Sequence, residues 1–100
     1  MYRELFYILD KRRQEMNIII AFKARSDSLK FSELLQKGGV PSTIINTPRE
    51  LSVGCGLSVS IEQKYRDYAL RALMAFDKRT YIGAYQLMKS GARTIAVAIR

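Results

Sequence analysis

A chain of 100 residues with 48% apolar content and a formal charge of +8 fits one small globular domain and is too apolar for a disordered one. It holds no histidine and a single cysteine. That excludes Ser-His-Asp and Cys-His catalysis within one chain and argues against a structural zinc site, so neither metal nor cofactor is expected.

Residues 2–16 read as a helix, with Tyr2, Leu5, Phe6, Leu9 and Met16 at helical spacing and Lys11, Arg12, Arg13 and Glu15 mostly on other faces. Charges interrupt its apolar stretch and no small-residue cleavage site follows, so a cytoplasmic location is expected. "NIIIAF" at 17–22 suits a strand buried on both faces. "SDSLKFSELLQKGG" predicts a helix capped by Ser26 or Ser28, striped by Phe31, Leu34 and Leu35, and ended by Gly38-Gly39. "VPSTIINT" at 40–47 is a second strand, with Pro41 confined to its start or to an edge.

"PRELSVGCG" reads as a loop between Pro48 and Gly56, and "LSVSI" at 57–61 as a half-buried third strand. Residues 62–77 return to a helical pattern, with Tyr65, Tyr68, Ala69, Ala72, Leu73 and Phe76 on one face. Residues 80–88 predict a fourth strand with a bulge at Gly83, and "TIAVAI" within 93–100 a fifth. No apolar run approaches the ~18 residues of a membrane span. The central order of strand, helix, strand, strand, helix, strand is that of a ferredoxin-like α+β sandwich (βαββαβ, core 17–88), with a helix added before it and a strand after it.

Chemistry concentrates on Cys55, flanked by Gly54 and Gly56. A thiol of pKa ~8.5 reacts as its thiolate, and accessible amides in a tight turn together with a nearby cation lower that pKa. Arg49, six residues upstream, and Lys64, at the start of the next helix, are the candidate cations. The competing structural reading is a small buried cysteine in a glycine turn. Likewise, Arg49 and Glu50 could pair with each other, and the Ser52 and Ser58 hydroxyls could satisfy backbone groups. Tyr81 and Tyr85, four residues apart, are expected on one sheet face, which would give a stacking platform for RNA.

The stretch Pro48-Arg49-Glu50-Leu51-Ser52, followed by Cys55-Gly56-Leu57 and an apolar strand, resembles the selenium/sulfur carrier-like family of small bacterial domains. The resemblance covers roughly residues 17–87, and Gly39 and Pro41 in "KGGVPSTIINTP" also fit it. Val53-Gly54, where small polar residues are usual, and the two terminal extensions depart from the pattern.

The resemblance implies a carrier rather than a turnover enzyme. Cys55 would be the acceptor thiol and hold sulfur or selenium as a persulfide-type adduct, stabilised by Arg49 and the amides around Gly54 and Gly56. Pro48, Glu50 and Ser52 would shape the loop. The partner would be a sulfur-relay donor or acceptor protein. Two other readings stand beside it. One is a self-associating binding or regulatory module, a homodimer formed through residues 93–100 or the N-terminal helix. The other is a basic nucleic-acid-binding domain, for which the charge speaks and the absence of an RNA-binding octamer does not.

Overall fold

A computed structural model of the chain describes residues 17–48, 51, 56–77, 79–91 and 93–99, with backbone alone at 89, 90, 93 and 94. The helix expected over 2–16 lies outside the described residues. β1 (Ile18–Phe22), α1 (Arg25–Lys37), β2 (Thr43–Asn46) and β3 (Leu57–Ile61) come first in the chain. After a short 3-10 turn (Gln63–Tyr65) follow α2 (Arg66–Met74), β4 (Tyr81–Ser90) and β5 (Arg93–Ala98). The strands make one sheet in the order β2-β3-β1-β4-β5, and every neighbouring pair is antiparallel. The class is α+β.

All five residues of β1 are buried, as a β-branched run at the centre of a sheet requires. Ile18, Ile20 and Phe22 face the layer built by α1 and α2, where Phe31, Leu35, Ala69 and Leu73 close over them. Phe22, Phe31 and Phe76 pack edge-on or tilted, with ring centroids 5.1–5.6 Å apart. Ile19 and Ala21 face the other way.

Four expectations about capping and burial are corrected. The buried stripe of α1 is Ser28, Phe31, Ser32 and Leu35, while Leu34 is exposed. Ser32 is accommodated because its hydroxyl meets that of Ser42 at 2.6 Å. Ala24 is the N-cap and offers no side-chain acceptor; Ser28 donates its hydroxyl to the Leu57 carbonyl instead. Third, β3 is not half-buried, since Ser58 and Ser60 are covered too. Their hydroxyls are matched by Thr47 at 2.7 Å and by the Asn17 amide at 2.9 Å, which removes the cost of burying them. Fourth, Tyr68 is exposed rather than inward, its hydroxyl lying against Gly38.

The chain leaves α1 through Gly39, whose φ of +87° belongs to the left-handed region, and Val40 then donates back to Leu35 and is buried. In β4 the ladder slips by one residue, because Ala21 pairs with Gly83 but Phe22 with Tyr81. This bulge, next to Gly83, sends Tyr81 to the helix side against Phe22 and leaves Tyr85 on the opposite face. The two tyrosines therefore share no surface, contrary to the expectation from their spacing. Among the described residues no helix is long and apolar enough to cross a membrane.

Candidate functional site

The loop between β2 and β3 leaves and rejoins the sheet at a well-tied base. Asn46 pairs with Leu57, the Thr47 amide donates to the Gly56 carbonyl at 2.9 Å, and the Thr47 and Ser58 hydroxyls meet. Pro48 starts the excursion, and its carbonyl accepts from the Leu51 amide at 3.2 Å. Gly56 ends it with φ +149°, a conformation that side chains with a Cβ rarely adopt.

Leu51 explains how a polar loop is held down. It is 7% exposed and packs with Ile19 and Ala21 on the sheet face that α1 and α2 do not cover, beside Ile45, Ile82 and Tyr85. The sequence reading passed over this anchor. Its signal was there: a large aliphatic residue between the polar Glu50 and Ser52.

At the same end of the sheet, Lys23, Arg25, Asn46, Gly56 and Leu57 line a cavity of about 360 Å³. Antiparallel pairing is what gathers them. β1 ends where β3 begins, so Lys23 and Arg25 come beside Gly56 although they stand some thirty residues away in the chain. Arg25 also opens α1, whose N-terminus carries a partial positive charge of about +0.5. Among the described residues neither cation is paired with a carboxylate. The wall that Gly56 shares is thus electropositive, and Gly56 is peptide-bonded to Cys55. Such a wall favours an anion.

Of the expected site residues, Pro48 and Gly56 are described and sit at the two feet of the loop. Arg49, Glu50, Ser52, Gly54 and Cys55 lie outside the described residues. Lys64 belongs elsewhere. β3 separates it from Gly56 by four residue steps, ~13 Å, and more. There it approaches Glu62 at 3.9 Å and lies 5.2 Å from the Tyr65 ring centroid. The cations that the structure does bring to the loop, Lys23 and Arg25, were not among the candidates.

The Asp77–Arg79 pair, joined at 2.7 Å, is remote in kind from this chemistry. It is exposed, and the arginine's hydrogen bonds hold the Asp77 carboxyl below its ordinary range. Among the described residues no cluster of histidine, cysteine or carboxylate side chains could hold a metal ion.

Comparison with known proteins adds one match. No curated protein and no solved structure matches the chain. A family model described as "Putative Se/S carrier protein-like" matches residues 17–90, from the start of β1 to the end of β4. The match takes in the loop, both of its feet and the electropositive cavity beside it. The chain belongs to the Se/S carrier protein-like family.

Proposed function

We propose that the chain carries sulfur or selenium on the thiol of Cys55 and hands it to a protein partner. The observation that supports this most is the cavity in which Gly56, the residue bonded to Cys55, shares a wall with the cations Lys23 and Arg25, neither paired with a carboxylate among the described residues. Arg49 and the amides around Gly54 and Gly56 add to the same field, while Pro48, Glu50 and Ser52 shape the loop.

In loading, the Cys55 thiolate attacks the outer sulfur of a donor persulfide. A new S–S bond forms at Cys55, the donor's S–S bond breaks, and the donor thiolate leaves with the electron pair. An acceptor nucleophile then takes that sulfur and returns Cys55 as the thiolate. No second cysteine exists in the chain, so a resolving thiol comes from the partner or a small thiol. Cationic walls stabilise the anionic persulfide between the two steps. A reducing, cytoplasmic setting suits a lone working thiol.

The supporting scaffold is read as a ferredoxin-like sandwich, because β4-β1-β3-β2 with two helices on one face is the arrangement a split βαβ order generates. On this reading β5 is an appended strand. Its Ile95 and Val97, 41% and 44% exposed on an edge strand, favour self-association as a second reading.

The carrier reading is tested by incubating the protein with a donor persulfide and mapping the adduct by mass spectrometry. One added sulfur on the peptide holding Cys55, absent from Cys55→Ser, is expected. A chain that takes up no sulfur under conditions that load a carrier control contradicts it. Sedimentation of the wild type against Val97→Lys tests self-association, which predicts a larger species only for the wild type.

A further inference from the structure

β2 borders the sheet, and among the described residues only β3 pairs with it. Its ladder fixes which main-chain groups turn outward. The Thr47 amide donates to the Gly56 carbonyl, and hydrogen-bonded pairs recur at every second residue, so Ile45 bonds with Ser58 and Thr43 with Ser60. Ile44 and Asn46 therefore turn their N–H and C=O groups away from β3, toward the edge. Just before them the Ser42 carbonyl accepts from the Gln36 side chain at 3.3 Å, and Pro41 has no amide to give. What the edge offers a newcomer is thus the main chain of Ile44 and of Asn46.

The same two residues open onto two cavities. Ile44 packs toward the helix side, and Asn46, two positions on, shares that face. α1 runs alongside, with Gln36 near Ser42 at one end and Arg25 near Asn46 at the other. Ile44 lines a cavity of about 420 Å³ with Leu29, Lys30 and Glu33. Its charges are of both signs, and Leu29, 52% exposed, gives it an apolar wall. Asn46 lines the cationic cavity with Lys23, Arg25 and Gly56.

We propose that this edge takes up an extended segment of a partner protein as an added antiparallel strand, with an apolar side chain opposite Ile44 and a carboxylate opposite Asn46. Main-chain bonds to Ile44 and Asn46 hold the segment, and its alternate side chains enter the two cavities. Charge selects the carboxylate, since neither Lys23 nor Arg25 is paired with one among the described residues. Antiparallel pairing puts the acidic residue two positions before the apolar one. A second copy of β2 does not supply this pattern, because Thr43–Asn46 holds no carboxylate. The docked segment lies beside Gly56, to which Cys55 is bonded. As the docking place of the protein that exchanges sulfur, the edge rests on the carrier reading; as a peptide site it does not.

The test uses the full chain with Cys55→Ser, which removes thiol chemistry, so the peptide site and the carrier reading fail or succeed separately. In the free protein the Ile44 and Asn46 amides are expected to exchange with solvent fast, and the Ile45 amide slowly. Slow exchange at Ile44 and Asn46 would mean that the edge is already paired, and would overturn the proposal. The probe is a peptide blocked at both ends, threonine-glutamate-threonine-valine-threonine, with a control in which glutamine replaces glutamate. Saturable protection of the Ile44 and Asn46 amides is expected, about tenfold tighter for the glutamate peptide. Lys23→Ala with Arg25→Ala, both exposed positions, should bring the two peptides level. No protection at Ile44 and Asn46, equal binding of the two peptides by the parent chain, or a preference that survives loss of both cations would each overturn the proposal.

Discussion

The Ser28 hydroxyl donates to the Leu57 carbonyl at 2.7 Å, and this bond fastens the first turn of α1 to the residue two places after Cys55. It joins the electropositive end of a helix to the exit of the loop. Both partners are shielded from water in part, so Ser28→Ala leaves a carbonyl without its donor. The expected cost is about 1–2 kcal/mol, read from the urea midpoint at unchanged slope. A cost near zero would mean that the bond does not position β3.

Leu51→Ala removes the loop's anchor on Ile19 and Ala21. The expected loss is about 2 kcal/mol, toward the low end for a leucine truncation because a loop can settle into part of the space. Amide exchange should rise at Thr47, whose amide donates to the Gly56 carbonyl, more than in α2. An unaltered exchange pattern would show that the loop is held by something other than this side chain.

Much of the fold was legible because its signals are local. Ile18–Phe22 could only be a central strand, and Gly38-Gly39 could only end a helix. What escaped was non-local or off by one residue. The extra residue beside Gly83 inverted the face of Tyr81 relative to Tyr85, and counting by twos has no means of finding it. Ser58 and Ser60 read as surface because their partners, Thr47 and Asn17, are distant in sequence. The same reason hid Lys23 and Arg25: only strand pairing brings the end of β1 to the start of β3. The loop itself was plain from Pro48 and Gly56.

Gly38 and Tyr68 form a close pair across the two helices, and a Cβ at Gly38 would fall on the Tyr68 hydroxyl and ring. The backbone of Gly38, at φ −85°, is itself open to alanine. Gly38→Ala should therefore stabilise a Tyr68→Ala protein by about 0.5–1 kcal/mol through the unfolded state. In the wild type that gain should vanish or reverse as Tyr68 is pushed out. Equal effects in both backgrounds, in a double-mutant cycle, would contradict the contact.

Burial, and next the neighbouring Tyr85, push the Tyr81 phenol above its ordinary value. A raised value in the folded state means that the unfolded chain ionises first. Stability from this group is thus whole below pH ~10 and is lost as pH climbs through the folded value. Tyr81→Phe should flatten the alkaline limb of the stability curve relative to the wild type. Parallel limbs would show that Tyr81 titrates alike in both states.

The claim at the centre of this account is that Cys55 is an activated acceptor thiol beside a cationic wall. The rate of Cys55 alkylation against pH, for the wild type and for Lys23→Ala with Arg25→Ala, measures it most directly. A wild-type midpoint clearly below the ~8.5 of a free thiol, moving up toward it in the double variant, is the result the account predicts. A midpoint at or above that value, unmoved by loss of both cations, would contradict it.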